Sequence, residues 1–403
     1  MKKLLQLNVT ANWGSTGKIA EGIGLAAQRR GWESYIAYGR YMNPSESRLI
    51  RVGKRFDVYS HYALNRALDG EGTGSKRATR RLITRIGEIS PDIIHLHNIH
   101  DHWLNYPVLF EYLRSVDTPV VWTFHDCWAF TGGCGHFEEW NCEKWQNKCG
   151  LCPGKRNLID RSRRNHERKI ELFASLGDRL TIVSVSRWLD SLVGASRLGH
   201  LSHTYIYNGL DTDVFRPRDT SPIDEKYGLA GKHVLLGVAS VWTEFKGLND
   251  YIALRRMLPD DYVIALVGLD ASRLKNVPHK ILAIPRTDNA DELSGFYSRA
   301  DAVLSLSKAE TFGLTLAEGL ACGTPAIGYA STAVREIITS ETGIAVSPGN
   351  LDMVKDAIMS LCSGETVFDP DVCRAKAIGN FNRDTQYARY IDLYDTILSQ
   401  RNK

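Results

Sequence analysis

The sequence Glu310-Thr-Phe-Gly-Leu-Thr-Leu-Ala-Glu318 places two carboxylates eight positions apart, with a glycine between them. A helix-forming run over residues 314–321 begins inside it, and Cys322-Gly-Thr-Pro325 ends that run with a glycine cap and a proline. The N–H groups of residues 312–314 therefore point out of a helix N-terminus, which attracts anions. A carboxylate on each side of an anion site suits a nucleotide-sugar. Taken alone, the spacing also fits a surface helix with two solvated glutamates.

Strand-like apolar runs alternate with helical patterns along the whole chain. In the first half, the predicted strands cover residues 4–9, 34–38, 93–97, 120–125 and 180–185. In the second half, they cover residues 234–239, 263–268, 280–283, 302–306 and 325–328. This alternation predicts an α/β protein with two doubly wound parallel sheets, joined near Asn208-Gly209. Ligands of such sheets bind at the carboxyl ends of the strands, so we expect two such faces opposed across a cleft.

Length, charge and hydropathy further limit the classes of protein to which this chain can belong. A chain of 403 residues is too long for one ordinary core, which predicts two domains. The net charge of +4 is mild and does not indicate a nucleic-acid partner. No apolar run approaches the ~20 residues of a membrane span. The first ten residues are interrupted by Gln6 and Asn8, so they indicate a buried strand and not a signal peptide. We therefore expect a cytoplasmic protein without disulfides.

Two further segments, Ser184-Val-Ser-Arg-Trp188 and Tyr207-Asn-Gly-Leu-Asp-Thr-Asp-Val-Phe-Arg-Pro217, precede the paired glutamates. In this order the three segments resemble the motifs of the retaining family-4 glycosyltransferases, which have the GT-B fold. The resemblance covers about the whole chain. It implies two facing Rossmann-like domains, with an acceptor-side domain over residues 1–207 and a nucleotide-sugar-binding domain over residues 208–380. It also implies that a terminal helix over residues 381–403 crosses back to the first domain.

The same resemblance implies roles for the glutamate segment. Glu318 would hold the ribose hydroxyls of the donor, since a carboxylate accepts two hydrogen bonds from a diol. Glu310 and the N–H groups of Phe312, Gly313 and Leu314 would hold the transferred sugar.

A lysine is expected to contact the donor phosphates. Lys246, which is followed by a glycine, would stabilise the departing diphosphate as negative charge develops on it. Many family members carry an arginine about five residues earlier, where this chain has Val241. Arg286 follows another predicted strand and would either replace that arginine or contact the nucleobase. No metal ion is required for this chemistry.

A glycine loop follows the first predicted strand. In Asn12-Trp-Gly-Ser-Thr-Gly-Lys-Ile19, two residues separate Gly14 from Gly17, whereas a phosphate-binding P-loop has four. Ile19 also stands where the P-loop carries a serine or threonine. The resemblance places this loop near the donor diphosphate, where glycine permits close approach of the backbone. The alternative is a tight strand-to-helix turn without a ligand.

Three histidines stand at or near predicted strand ends. His125 ends the fourth predicted strand, and the resemblance implies that it faces the donor sugar; a structural, hydrogen-bonded histidine is the alternative. His95 and His97 share one strand face. They could form a metal site or contact an acceptor hydroxyl, although no carboxylate or cysteine has an obvious ligand spacing to them.

Four cysteines, Cys134, Cys142, Cys149 and Cys152, fall within one predicted loop over residues 127–156. In a cytoplasmic protein the Cys-x2-Cys pair favours a structural zinc site, with free thiols, an iron–sulfur cluster or disulfides as alternatives. A long insertion here resembles a subgroup of bacterial glycosyltransferases that build exopolysaccharide and lipopolysaccharide. Aromatic side chains that could stack on sugar rings also lie in the loop, namely Trp128, Phe130, Phe137, Trp140 and Trp145.

Basic residues recur at helical spacing after a glycine-rich stretch. They are Lys76, Arg77, Arg80, Arg81 and Arg85. They form either a solvated helix face or a contact with anionic lipid heads at the inner membrane face, each cation being worth about 1 kcal/mol there. A lipid-linked acceptor would explain the second arrangement.

Together these features predict a retaining, hexosyltransferase-type glycosyltransferase. It would move a sugar from a UDP- or GDP-sugar to a glycan or lipid-linked saccharide in cell-surface polysaccharide biosynthesis. It would need no cofactor for catalysis and would hold at most a structural zinc. A sugar phosphorylase or nucleotide-sugar epimerase of similar fold, or a non-catalytic sugar-binding module, are the alternatives. The arginine missing near Lys246 is the one feature that favours the last.

Overall fold

The computed structural model describes residues 1–154, 158–270 and 279–401. The chain forms two compact units. Unit 1 comprises Met1–Gly209 together with the C-terminal residues from Asp384 onward, and unit 2 comprises Leu210–Arg383. These limits lie close to the boundaries expected from the sequence. Residues 155 and 156 of the predicted cysteine loop lie outside the described residues.

Unit 1 contains a sheet of seven described strands, all parallel, in the order β3-β2-β1-β4-β5-β6-β7. The strands are β1 Lys3–Asn8, β2 Glu33–Tyr38, β3 Arg48–Arg51, β4 Ile93–Leu96, β5 Val120–Phe124, β6 Leu180–Ser184 and β7 Ser202–Tyr205. The helices of this unit are α1 Gly14–Arg29, α2 Arg55–Leu68, α3 Lys76–Ile89, α4 Tyr106–Ser115, α5 Ser162–Ala174, α6 Arg187–Ala195 and the terminal helix α14 Arg383–Arg401.

Apolar packing on both faces of the sheet stabilises unit 1. Every residue of β5 is buried, as expected for a parallel strand covered by helices on both sides. The terminal helix α14 takes part in this core. Its Tyr387, Tyr390, Ile391 and Tyr394 pack with Leu4 of β1 and with side chains of α1. The last helix of the chain therefore completes the core around the first strand.

Unit 2 contains a sheet of six described strands, also parallel, in the order β10-β9-β8-β11-β12-β13. The strands are β8 His233–Val238, β9 Tyr262–Val267, β10 Ile281–Ile284, β11 Ala302–Ser305, β12 Ala326–Tyr329 and β13 Gly343–Val346. The helices are α7 Ser221–Tyr227, α8 Leu248–Met257, α9 Ala290–Arg299, α10 Leu314–Ala321, α11 Val334–Ile337, α12 Leu351–Cys362 and α13 Pro370–Phe381.

The α/β class with two doubly wound sheets is confirmed, and each predicted strand overlaps an observed one. Three strands were missed: β3, β7 and β13. All three lie at an edge of their sheet. An edge strand is short and exposed on one side, so its sequence lacks the apolar run that marks a central parallel strand. In the part of the chain that the structure describes, no helix combines the length and the apolar character needed to cross a bilayer.

Candidate active site

The strand order of unit 2 changes direction between β8 and β11, and the loops after these two strands lie side by side. The Lys308 N–H donates to the Phe245 carbonyl at 3.0 Å. Gly247 has a φ of 79°, and a Cβ at that position would stand 2.2 Å from the Leu306 carbonyl oxygen. Only glycine fits there. Such a switch point is where open α/β sheets bind ligands.

Lys246 and Glu310 form an ion pair at this switch point, with the Lys246 Nζ 2.7 Å from the Glu310 Oε1. Both side chains are partly buried, at 34% and 20% exposed. Thr332 fixes the backbone of Glu310: its Oγ1 accepts from the Glu310 N–H at 2.8 Å and donates to the Glu310 carbonyl at 2.7 Å. Thr332 has a φ of 47°, a conformation that non-glycine residues seldom adopt. The loop thus holds a carboxylate and an ammonium group together.

Helix α10 begins at Leu314, four residues after Glu310, as the sequence predicts. Its N-cap residue Gly313 has a φ of 96°, and an added Cβ would stand 3.1 Å from Ile337 Cδ1. Phe312 is buried and packs edge-on against Phe381, with ring centroids 5.3 Å apart. The Leu316 N–H donates to the Gly313 carbonyl at 3.0 Å, whereas the N–H groups of Leu314 and Thr315 precede the first residue that a helical i−4 carbonyl can bond. The positive end of α10 therefore lies beside the Lys246–Glu310 pair.

Glu318 lies one turn further along α10. The buried Tyr297 hydroxyl donates to its Oε2 at 2.6 Å. The burial of Tyr297 and the adjacent Glu318 carboxylate raise the pKa of this phenol well above its usual value, so it remains a donor. Tyr297 thereby fixes the orientation of the carboxylate that was predicted to hold the ribose.

Two residues predicted around this site occupy exposed positions. Val241, which stands where many family members carry an arginine, is exposed. Arg286 is exposed in the loop after β10, the edge strand, which β9 separates from β8. A contact between Arg286 and a nucleobase or phosphate stays a prediction.

In unit 1, hydrogen bonds fix the protonation of His125. The Gln6 Nε2 donates to the Ala20 carbonyl at 2.7 Å, which leaves the Gln6 Oε1 to accept from the His97 Nε2 at 3.0 Å. The His97 Nδ1 must then accept from the His125 Nε2, 3.1 Å away. Burial lowers the pKa of His125 to about 4 and that of His97 well below its ordinary value. His125 is therefore neutral at pH 7, and its Nδ1 lone pair is the hydrogen-bond acceptor.

His95 does not have the surroundings of a metal ligand. The His95 Nε2 lies 2.7 Å from the Thr123 Oγ1, and the Nδ1 lies 2.6 Å from the Tyr394 hydroxyl. Both ring nitrogens are thus engaged by hydroxyl groups inside the core of unit 1. The metal interpretation of the His95 and His97 pair is therefore not supported by their contacts.

The glycine loop of unit 1 opens helix α1. Gly14 is the first residue of the helix and has a φ of 66°. At Gly17, a Cβ would stand 2.7 Å from the Thr10 Oγ1, so a larger residue would displace the loop. These constraints explain both glycines as structural requirements of a tight turn after β1. Contact with a donor or acceptor stays a prediction.

Two protein-family models together match most of the chain. The model of "Glycosyltransferase Family 4" matches residues 19–214, and that of "Glycosyl transferases group 1" matches residues 220–377. The chain belongs to the GT-B glycosyltransferases. A relative in Escherichia coli K12, "Putative colanic acid biosynthesis glycosyl transferase WcaC", is 26% identical over 85% of this chain and 87% of its own length.

Solved structures show the same fold at low sequence identity. Sucrose-phosphate synthase from Thermosynechococcus elongatus superposes with a TM-score of 0.73 at 15% identity, covering 99% of this glycosyltransferase and 100% of that chain. Anabaena HepE, in complex with UDP and glucose, has a TM-score of 0.70 at 14% identity, covering 98% of this chain and 100% of that one. At these identities the likeness establishes the fold alone.

Next to His125, the glycosyltransferase carries a His100–Asp126 ion pair, with the His100 Nε2 2.9 Å from the Asp126 Oδ2. Burial opposes the charge of each group, but their mutual attraction and hydrogen bonds outweigh it. The pKa of His100 lies well above its ordinary value, and that of Asp126 is lowered to about 2. The Asp126 Oδ1 also accepts from the Trp128 N–H at 2.8 Å. The carboxylate thus connects His100 to the start of the cysteine loop.

Acid is expected to destabilise unit 1 through Asp126. Its pKa is about 2 in the folded state against an ordinary 3.8, so its stabilising contribution is complete above pH 3.8 and is lost as the pH falls through 2. That contribution is on the order of 2 kcal/mol. Thermal denaturation of the wild type should therefore show a steeper loss of stability between pH 4 and 2 than Asp126→Asn shows. Equal pH dependence in both proteins would contradict this role of Asp126.

The four cysteines predicted to bind zinc form no disulfide and line one cavity of about 470 Å³. They do not have the spacing of ligands. Among the described residues, the only trio of histidine, cysteine or acidic ligand atoms within 4.8 Å of one another is His233, Asp301 and Cys362. Thiolates around one tetrahedral zinc ion stand about 3.8 Å apart. Zinc binding would therefore require movement of the loop, and it stays a prediction.

Elemental analysis of glycosyltransferase purified without a metal-affinity tag tests the zinc prediction. If the loop binds zinc, about one zinc ion per chain is expected, and loss of the ion should destabilise the loop because the free energy of metal binding contributes to its folding. In Cys142→Ser/Cys152→Ser the zinc content should fall to background, whereas Cys373→Ser, outside the loop and outside the His233–Asp301–Cys362 trio, should leave it unchanged. A metal-free, fully active preparation with four titratable loop thiols would rule zinc out.

The aromatic side chains of the cysteine loop mostly form its interior. Trp128, Phe130 and Trp145 are buried. Trp145 packs against Phe130 and Phe137, with ring centroids 5.2 and 5.0 Å apart. The expectation that these rings stack on sugars is wrong for the three buried residues. These three rings are buried because removing their apolar area from water is favourable. An irregular loop has no regular spacing of side chains, so its sequence does not show which rings face inward.

Three residues that contact predicted site residues or their neighbours were missed by sequence analysis: Tyr297 and Thr332 in unit 2, and Gln6 in unit 1. Each contacts a predicted site residue or its neighbour from a distant part of the chain. None belongs to a motif, and a lone tyrosine, threonine or glutamine carries no local signal of its partner. Each meets its partner only through the packing of strands, helices and loops within its own unit.

Proposed function

We propose that this glycosyltransferase retains anomeric configuration and transfers a sugar from a UDP- or GDP-sugar to a lipid-linked or oligosaccharide acceptor. The observation that carries the proposal is the Lys246–Glu310 pair at the switch point of unit 2, beside the N-terminus of α10. This arrangement combines one cation, one helix dipole and one carboxylate. A nucleotide-sugar presents matching groups, namely a diphosphate and a sugar with hydroxyls.

The proposed roles follow from the chemistry of each group. Lys246 and the N–H groups of α10 stabilise the negative charge that develops on the departing diphosphate. Glu310 accepts hydrogen bonds from the sugar hydroxyls, and Glu318, oriented by Tyr297, accepts them from the ribose. On donor binding, the ammonium of Lys246 is shared between Glu310 and a phosphate oxygen. Transfer occurs on one face of the sugar, and the departing phosphate takes the acceptor proton, so the reaction needs no separate general base.

The relatives support the substrate classes in this proposal. WcaC is named for colanic acid biosynthesis, and HepE was solved with UDP and glucose. We therefore propose a nucleotide-sugar donor and a role in cell-surface polysaccharide biosynthesis for this chain. Catalysis by the residues named above requires no metal ion or organic cofactor.

Turnover of a donor panel with lipid extracts as acceptors tests the function. Release of UDP or GDP that depends on the acceptor is expected, and NMR of the product should show the anomeric configuration of the donor. Sugar 1-phosphate formed from a glycan and phosphate would indicate a phosphorylase instead. A change of sugar identity without an acceptor would indicate an epimerase, and no turnover with any donor would favour a binding module.

We also propose that helix α3 contacts an anionic membrane surface. Its Lys76, Arg77, Arg80 and Arg81 are exposed on the side opposite the buried Leu82 and Ile86. Arg85 is paired with Glu88 and contributes little net charge. These four cations have no ion-pair partner among the described residues, so together they attract anionic lipid heads through a screened surface potential.

Charge reversal on this face is expected to reduce membrane binding. Arg77→Glu/Arg81→Glu should weaken sedimentation with vesicles that contain an anionic phospholipid and should not alter transfer to a short soluble acceptor. The difference should fade as salt rises above physiological strength, where the Debye length falls below ~8 Å. Arg256→Glu, in unit 2, serves as a control. Equal vesicle binding by all three proteins would show that α3 is only a solvated face.

A further inference from the structure

Unit 1 contains a cavity of about 760 Å³. It includes Lys76 and Arg80 of the basic face of α3 but none of the histidines, glycines or cysteines described above. Its walls are the loop between α2 and α3, the start of α4 and the start of α5. Five cationic side chains line it: Lys76, Arg80, Arg161, Arg164 and Arg168. Two carboxylates, Asp69 and Glu111, also line it. The lining therefore carries an excess of three positive charges.

These five cations are not neutralised by the protein. Within the described ranges, none of them forms an ion pair with a carboxylate. Asp69 is buried, and its Oδ2 accepts from the backbone N–H of Arg161 at 2.7 Å, so its charge stabilises the loop that precedes α5. Like charges gathered around one cavity repel each other. A bound anion of more than one charge would relieve that repulsion.

The backbone adds to the positive potential of the cavity. The N-terminal residues of three helices line it, namely Lys76 of α3, Pro107 and Val108 of α4, and Arg161, which precedes α5. These helices have 14, 10 and 13 residues, long enough for each to have the usual partial positive charge at its N-terminus. Three helix dipoles and five cationic side chains thus favour an anion at one place.

Hydrogen bonds hold the walls of the cavity in position without a ligand. Asn105, the N-cap of α4, donates through its Nδ2 to the carbonyls of Thr73 and Gly74, and its N–H donates to the Thr79 Oγ1 at 2.8 Å. The Asn165 Nδ2 donates to the Asp69 carbonyl at 3.0 Å. These contacts join α3, α4 and α5 around the cavity. The backbone that carries the cations therefore needs little reorganisation to bind an anion.

We propose that this cavity binds a diphosphate group. Arginine guanidinium groups pair with phosphate oxygens through two parallel hydrogen bonds, and several arginines match the multiple oxygens of a diphosphate better than those of a single carboxylate. The group could belong to a lipid-linked saccharide, in which case the cavity anchors the acceptor, or to free diphosphate. The first source rests on the proposed function, since it requires a lipid-linked acceptor.

Calorimetric titration with inorganic pyrophosphate, at fixed ionic strength, tests the cavity. Because the Lys246 site could also bind this anion, the titration is made in the Lys246→Met background and in the wild type. In both, Arg161→Gln/Arg164→Gln should weaken pyrophosphate binding at least about tenfold, since two charge-assisted hydrogen bonds are lost. Arg80→Gln alone should give a smaller loss. The Arg77→Gln/Arg81→Gln control, with the same change of charge outside the cavity, should bind as the parent does.

A second titration, with farnesyl diphosphate and farnesyl monophosphate in detergent, identifies the source of the group. Tighter binding of farnesyl diphosphate than of pyrophosphate, lost in Arg161→Gln/Arg164→Gln, assigns the cavity to a lipid-linked diphosphate. Equal binding of both diphosphates assigns it to the free anion. Pyrophosphate binding that is absent, or unchanged in the cavity variants, overturns the proposal. Retained cavity binding without turnover of any donor would refute the proposed function and leave the anion site standing.

Discussion

Glu310→Gln is expected to lower turnover by about 10²–10³-fold while the protein stays folded. Glutamine keeps the size of the side chain and a hydrogen-bonding group beside Lys246, but it removes the charge that the sugar hydroxyls would meet. The two hydrogen bonds with Thr332 use only the backbone of Glu310, so they persist in the variant. The effect should therefore appear in the chemical step and not in stability.

Glu310→Gln should change turnover and nucleotide binding in different ways, which distinguishes a role in the chemical step from a role in binding. In Glu310→Gln the Lys246 ammonium loses its competing carboxylate, so the affinity for nucleoside diphosphate should be retained or should increase. Glu225→Gln, an exposed carboxylate on α7, serves as the matched control and should have wild-type turnover. Wild-type turnover in a folded Glu310→Gln protein would remove Glu310 from the site.

Glu318→Ala is expected to weaken the binding of nucleoside diphosphate by roughly 1.5–3 kcal/mol, or about 10- to 150-fold. The reason is the loss of a charged acceptor for the ribose hydroxyls. Calorimetric titration with UDP and with 2′-deoxy-UDP measures this loss of affinity directly. The wild type should prefer the ribonucleotide, and the variant should bind both about equally.

Tyr297→Phe serves as a graded comparison for the ribose site. It keeps the Glu318 carboxylate but removes the hydroxyl that orients it, so the loss should be about 1 kcal/mol. If Glu318→Ala keeps the full preference for the ribonucleotide, the ribose binds elsewhere. If Tyr297→Phe loses more than Glu318→Ala does, then the contact mainly stabilises the fold.

The fold could be predicted from the sequence because central parallel strands are buried on both faces. Such strands appear as continuous apolar runs, as in β5, and every run of this kind that was identified overlaps an observed strand. The edge strands β3 and β7 contain exposed and polar residues, such as Arg48 and Ser202, and lack that signal. Their place in the sheet depends on the neighbouring strand and not on their own sequence.

The site was only partly predictable, because a motif reports local geometry and not the pairing of distant groups. The glutamate segment correctly indicated that a helix begins after Glu310. It did not indicate that Glu310 would pair with Lys246, since that contact arises only when β8 and β11 become neighbours. The same holds for Tyr297 and Thr332. The basic cavity was missed for a similar reason, because Arg161 and Lys76 are brought together by helix packing.

The position of α14 has a consequence for the order in which the protein folds during synthesis. Unit 2 is one continuous stretch of chain, so it can fold as soon as it leaves the ribosome. Most of unit 1 is synthesised before unit 2, yet its core lacks Tyr387, Tyr390 and Tyr394 until α14 is made. The surface of β1 and α1 that these side chains cover therefore stays exposed while all of unit 2 is translated. Unit 1 is therefore begun before unit 2 and completed after it, and its uncovered apolar surface is open to aggregation during this interval.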